Sequence, residues 1–128
     1  MTSVRGLNHI TLAVRDVSAS VKFYEDALGL KLHKQWRGGA YLSAGDLWLC
    51  LSQDDEADEA HRADYTHLAF DTSIEEFDAL TSRIKRAGGR QWKDNRSEGM
   101  SFYFLDLEGH KLELHVGDLQ SRLAAMPC

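Results

Sequence analysis

The chain has 128 residues, 43% hydrophobic and 27% charged, which suits one domain with a real core. A net charge of -5 leaves no basic stripe to offset phosphate and argues against nucleic acid, and no apolar run is long enough to span a membrane. With no signal-peptide pattern the default compartment is the cytoplasm, and Cys50 and Cys128, lacking spaced partners, indicate neither a disulfide framework nor a structural zinc site.

Residues 7–14 read LNHITLAV, a strand by their apolar and β-branched content, with His9, Thr11 and Ala13 on one face. Asp16 or Ser18 caps a helix running to about residue 28, with Val17, Val21, Tyr24 and Leu28 as its buried stripe and Gly29 at its end. Three short strands follow at about 30–36, 40–43 and 47–52, with turns at Gly38-Gly39 and Gly45-Asp46. In the last of them Leu47, Leu49 and Leu51 face one side, and Trp48, Cys50 and Ser52 the other. The acidic stretch 53–64 reads as an exposed loop joining two halves.

The pattern then repeats. Residues 65–71 (YTHLAFD) form a strand with Tyr65, His67 and Ala69 on one face. Ser73 and Glu76 make a capping box for a helix to about residue 87, its stripe being Ile74, Phe77, Leu80 and Ile84. Strands at 90–93, 101–105 and 111–116 follow, then a short tail that is helical over 118–125. The chain is therefore βαβββ twice: module one covers about 5–52 and module two about 65–116, within a single α+β domain of residues 1–128. Two such modules can pair their sheets into a cup walled by strand faces.

The run from 93 to 115, KDNRSEGMSFYFLDLEGHKLELH, gathers the polar groups. Alternation puts Ser101 and Tyr103 on one face of their strand, and Glu113 points away from Leu112 and Leu114. A carboxylate, two hydroxyls and Lys93 on one face suit an anion and a metal; a solvated antiparallel face fits the same pattern. His9 and His67 occupy mid-strand positions in the first strands of the two modules. With Glu113 they make two imidazoles and a carboxylate, a ligand set for an open divalent site. Setting LWLCL against LELHV makes Trp48 the module-one counterpart of Glu113, an apolar wall in the fourth position. His33, His61, His110 and His115 lack this symmetry, and His115 falls on the face of Glu113 as an outlying partner. Cys50 shares a face with Trp48 and reads first as a small core residue.

The segments GLNHITLAV, LWLCLS, ADYTHLAF, WKDNRSEG, SFYFLDLEGHKLE and HVGDLQSRLAA, in this order, resemble the FosA-type fosfomycin-resistance glutathione transferases of the vicinal-oxygen-chelate (glyoxalase) superfamily, over about residues 6–125. The resemblance implies that His9, His67 and Glu113 bind Mn(II). It implies that Thr11, Lys93, Ser97, Ser101, Tyr103 and Arg122 surround the phosphonate and oxirane of fosfomycin, with Trp48 as a wall beside them. Trp36, Ser52 and Arg96 match positions near the thiol cosubstrate glutathione. The loop carrying Asn95, Ser97, Gly99 and Ser101 matches the family's potassium (K+) site. The family is a domain-swapped homodimer, so His9 is expected from one chain and His67 with Glu113 from its partner. Two departures bear on cosubstrate affinity and potassium response: Gly38 stands where the family has a glutamine, and Met100 where it has an aspartate.

The chemistry agrees with the resemblance. A metal stabilises negative charge on the oxygen of an opening oxirane, and Lys93 and Arg122 supply charge-assisted donors to a phosphonate. The attacking thiolate comes from the cosubstrate, so the protein's task is to align two reactants. The rivals differ in nucleophile or class. Hydrolysis needs a carboxylate base, which the related hydrolases carry where this chain has Gly39. A transferase using another thiol fits the same residues. A metal-free drug-binding protein has no use for His9, His67 and Glu113. An iron dioxygenase would share the ligands but give the Lys93 and Arg122 clamp no role.

Overall fold

The computed structural model describes residues 2–127, without the side chains at 60 and 61. It divides between Ala57 and Asp58 into two units. The first holds β1 (His9–Val14), α1 (Val17–Asp26), β2 (Lys31–Trp36), β3 (Gly39–Ala44) and β4 (Leu47–Gln53), in a sheet of order β1-β4-β3-β2. β1 runs parallel to β4, and the other pairs are antiparallel. The Asp16 carboxylate caps α1 by accepting from the Ala19 N–H at 3.0 Å. Val17, Val21 and Tyr24 are buried as their spacing predicts, and α1 packs on β2, β3 and β4. Leu28 falls beyond the helix and is half-buried, while Ala27 and Leu30 are buried instead. Leu42, Leu49 and Leu51 fill the sheet's core face, each worth roughly 1.5–3 kcal/mol of burial. The turn between β2 and β3 is Arg37-Gly38, because Gly39 is already paired with Ser52.

The second unit holds a 3-10 turn at Glu59–Arg62, then β5 (Leu68–Asp71), α2 (Ile74–Arg86), β6 (Arg90–Lys93), β7 (Ser101–Leu105), β8 (Lys111–His115) and α3 (Leu119–Ala125), with sheet order β5-β8-β7-β6. β5 is shorter than its sequence suggests. The backbone bends at Asp64-Tyr65, where the Asp64 carboxylate accepts from Thr66 N–H at 3.1 Å, so His67 lies just ahead of the strand rather than within it. His9 likewise opens β1 instead of occupying its middle. The Ser73 hydroxyl caps α2 by accepting from Glu76 N–H, and Phe77, Leu80 and Ile84 are buried. Ile74 is 61% exposed, because as the first helical residue it precedes the turn that packs.

The acidic stretch is less loose than its composition suggests. Asp54 N–H donates to Val14 O at 2.9 Å, and Arg15 Nε to Ala57 O at 2.8 Å. Further along, Arg62 donates to Glu108 O at 2.9 Å, and Lys111 Nζ to Asp64 O at 2.5 Å. Gly109, at φ 82°, lies so close to Glu59 that an added Cβ would sit 2.5 Å from its Cγ. No described helix is long and apolar enough to cross a membrane.

The registers also correct the internal repeat. In the first unit Thr11 pairs with Cys50, and Cys50 with Tyr41. In the second, Ala69 pairs with Glu113, and Glu113 with Tyr103. Thr11 and Ala69 each lie two residues after their histidine, so Cys50 rather than Trp48 is the counterpart of Glu113. Strand alternation has period two, and matching apolar letters therefore cannot detect a two-residue slip.

Candidate active site

Glu113 is only 5% exposed, which removes the reading of its face as solvated. Its Oε2 accepts from Ser101 Oγ at 2.6 Å, and its Oε1 lies 3.0 Å from His67 Nε2. His67 Nδ1 lies 2.9 Å from the carbonyl of Tyr65, which can only accept, so Nδ1 carries a proton. Nε2 of that neutral tautomer is a lone pair facing a buried carboxylate oxygen. Two electron-pair donors at this distance need a positive charge between them, either a proton or a cation. The donor types, imidazole nitrogen and carboxylate oxygen, are those of a divalent transition metal.

A chain of contacts leads outward from Glu113. With the Ser101 proton directed at Glu113, Ser101 Oγ accepts from His115 Nδ1–H at 2.6 Å. His115 Nε2 is 3.6 Å from Glu98 Oε1, which accepts from Arg122 Nε at 3.1 Å. Arg122 is placed by α3, whose N-cap Asp118 forms a reciprocal capping box with Ser121. The Ser121 backbone N–H, the largest cause, and its hydroxyl hold the Asp118 carboxyl below its usual 3.8.

Lys93, at the end of β6, donates from Nζ to the Tyr65 hydroxyl at 2.5 Å. It lies 4.7 Å from the ring centroids of both Tyr65 and Tyr103. That hydrogen bond raises the Lys93 pKa above 10.5; desolvation opposes it, and Tyr103, Tyr65 and Glu113 add to it electrostatically. Around His67 stand Tyr65, Trp92 and Tyr103, with ring centroids 5.0, 5.6 and 5.8 Å away.

The loop after β6 is bonded within itself. Asn95 Oδ1 accepts from Ser97 N–H at 3.0 Å and Ser97 Oγ at 2.9 Å, while Asn95 Nδ2 donates to Gly99 O at 2.8 Å. Gly99 has φ 76°, and a Cβ there would meet Val116 O at 2.5 Å, so the loop's approach to β8 requires glycine. Arg96 is exposed at the tip.

In the first unit one sheet face carries His9, Thr11, Trp36, Trp48 and Ser52. His9 Nδ1 is 2.7 Å from Asn8 Oδ1, which leaves Nε2 as its electron-pair donor. The His9 and Trp48 rings are 4.5 Å apart, and edge-to-face contacts continue from Trp48 to Tyr41 at 5.2 Å and from Tyr41 to Trp36 at 4.8 Å. Cys50 lies buried on this face. A side chain at Gly39 has no room: its Cβ would overlap Leu51 O and lie 3.0 Å from the Trp36 ring.

The second unit thus brings together His67, Glu113, Ser101, Tyr103 and Lys93, with Arg122 joined through Glu98. The first collects His9 and the expected cosubstrate and wall residues. Among the described residues no three His, Cys, Asp or Glu side chains form a ready cluster for a metal.

Residues 6–114 match the model of the Glyoxalase/Bleomycin resistance protein/Dioxygenase superfamily. The chain belongs to this superfamily. Its two βαβββ units with four-stranded sheets have the vicinal-oxygen-chelate fold, as expected from the sequence. The chain is 54% identical over 124 residues to the glutathione transferase FosA of Serratia marcescens, covering 95% of this chain and 88% of that one, so the FosA-type resemblance is borne out. It is 36% identical over 127 residues to the metallothiol transferase FosB of Staphylococcus haemolyticus, covering 94% and 90%. Among solved structures, a mutant of the fosfomycin resistance protein FosX of Listeria monocytogenes, complexed with Mn(II) and 1S,2S-dihydroxypropylphosphonic acid, is similar at 31% identity. Its TM-score is 0.83, with 94% of this chain and 97% of that one covered.

Sequence reasoning passed over Tyr41, Tyr65, Trp92 and Glu98. Tyr65 shares a strand face with His67 in the alternation, but the histidine drew the inference. Tyr41 emerges only through its register opposite Cys50. Glu98 lies inside the expected cation loop, and no spacing rule connects it to Arg122 in α3.

Proposed function

We propose that the chain catalyses metal-dependent transfer of glutathione to the epoxide of fosfomycin, opening the oxirane and inactivating the antibiotic. The observation that carries this reading is the buried Glu113–His67 pair, set on the same sheet face as Tyr103 and next to the Lys93 cation above it. One module thereby offers a cation site beside an anion clamp, as a phosphonate with a neighbouring oxirane requires. The glutathione transferase FosA relative supports the same reading.

His9, His67 and Glu113 would hold Mn(II), the ion in the FosX complex. A metal held there supplies Lewis-acid stabilisation of charge developing on the oxirane oxygen. Lys93 and Arg122 bind the phosphonate, aided by the Tyr103 hydroxyl and by those of Ser97 and Ser101 once they turn from Asn95 and Glu113. Thr11, on the His9 face, donates to the oxirane oxygen, and Trp48 walls the substrate. Trp36, Ser52 and Arg96 receive glutathione, whose thiolate attacks the less hindered carbon. Asn95, Ser97, Gly99 and Ser101 would present oxygens to K+, which requires the loop's own hydrogen bonds to open. The two modules act as one domain, and in a homodimer each site takes His9 from one chain and His67 with Glu113 from the other.

Gly39 favours transfer over hydrolysis. A carboxylate base at that position would need the backbone to move, given the close approach of Leu51 O. Mass analysis of the product from fosfomycin and glutathione tests the proposal. A glutathione adduct is expected, and an adduct only with a different thiol would keep the mechanism and change the cosubstrate. Faster turnover with Mn(II) than with other divalent ions, and with K+ than with Na+ at matched ionic strength, is expected; equal rates would reject those assignments.

A further inference from the structure

We infer that Tyr65 is the positioning residue for the Lys93 ammonium, and that through its two polar groups it ties the metal ligand His67 to the anion clamp. Its backbone carbonyl accepts from His67 Nδ1–H at 2.9 Å, directing Nε2 at Glu113. Its hydroxyl accepts from Lys93 Nζ at 2.5 Å. The bend at Asp64-Tyr65 lets a single residue serve both, since it turns the chain just before His67 enters β5.

Lysine has more rotamer freedom to lose than most side chains, so an unheld Lys93 would bind an anion at a larger entropic cost. Here Nζ is fixed by the Tyr65 oxygen and sits 4.7 Å from both the Tyr65 and Tyr103 rings. An ammonium has three donors, and Tyr65 takes one, leaving two for phosphonate oxygens. The rings attract the cation without competing for those donors. Tyr65 is 55% exposed, so packing does not account for the arrangement, and its hydroxyl can be removed without opening a cavity. Glu113 is the nearby anion that could draw Lys93 elsewhere, yet Nζ bonds the Tyr65 hydroxyl while the Glu113 oxygens face Ser101 and His67, which makes Tyr65 the anchor.

This inference rests on the proposed phosphonate clamp, and a double-mutant cycle of Tyr65→Phe and Lys93→Met separates the two. Tyr65→Phe keeps the ring and the carbonyl. It should raise the fosfomycin KM roughly 3- to 10-fold, the range for one freed side chain, with a smaller change in kcat. Mn(II) affinity, read by the electron-spin signal of the free ion, should stay at the wild-type value because the carbonyl remains. On the Lys93→Met background, Tyr65→Phe should add nothing, since its effect passes through the lysine. Effects that multiply instead would show Tyr65 acting independently of Lys93, and an unchanged KM in the single variant would show no positioning; either overturns the inference. Loss of Mn(II) binding in Tyr65→Phe would overturn it too, by placing the effect at His67. If Lys93→Met alone leaves KM unchanged, the clamp reading fails and this inference falls with it.

Discussion

Replacing Glu113 by glutamine separates the two cations that can satisfy the contact between its carboxylate and His67 Nε2. In the metal-free protein the wild-type pair sets a bare lone pair 3.0 Å from a carboxylate oxygen unless a proton intervenes. A glutamine amide can donate to Nε2 while its carbonyl still accepts from Ser101. The variant therefore trades a charge-assisted contact for a neutral bond and loses the desolvation cost of a buried anion. Net changes of this kind lie near zero, within about 1 kcal/mol either way. Metal binding should change far more, because the charged ligand is gone. At a metal concentration 100 times its Kd, binding stabilises the wild type by about 2.7 kcal/mol. For a chain of 128 residues that raises Tm by roughly 8–14 °C. Thermal unfolding with Mn(II) or with chelator should show this rise in the wild type and almost none in Glu113→Gln, with similar metal-free Tm values. A full metal-induced rise in the variant would refute the assignment of Glu113 as a ligand. A fall of more than about 2 kcal/mol in metal-free stability would refute the argument that its carboxylate is unsatisfied without a cation.

Gly39→Ala should destabilise the first unit by about 1–3 kcal/mol, since its Cβ overlaps Leu51 O; an unchanged denaturation midpoint would show that the strand yields freely. The Asp118 carboxyl is held below 3.8, so its cap stabilises α3 above that pH and is lost as pH falls through the depressed value. Amide signals of residues 119–125 should therefore broaden in the wild type as pH falls through that range, while Asp118→Asn, whose amide caps without titrating, should lose this pH dependence; identical acid profiles would contradict this. Mixing inactive His9→Ala with inactive Glu113→Ala chains should restore part of the activity, because in exchanged dimers both lesions can fall in one site and leave the other intact. No recovery after proven subunit mixing would favour sites built within one chain.

Much of this was legible because alternation and caps are local. Asp16 and Ser73 announce the two longer helices, and the βαβββ repeat follows from turn residues and period-two strands. His67 and Glu113 could be named together, yet their 3.0 Å contact depends on pairing β5 with β8 across more than forty residues. The Cys50 correction has the same origin, since a two-residue slip preserves every inward and outward face. Tyr65 stayed hidden because its role comes from a bend that alternation does not encode. The anchoring of the acidic linker escaped composition as well: Glu59 is exposed as its charge suggests, yet its side chain lies against Gly109.

The most direct test of the central claim is the product formed from fosfomycin by the Mn(II)-loaded protein with millimolar glutathione, read by phosphorus NMR and mass spectrometry. With Gly39 closed to a carboxylate base and Lys93 and Arg122 proposed as the anion clamp, a glutathione adduct with little diol is expected. Diol as the main product would contradict it.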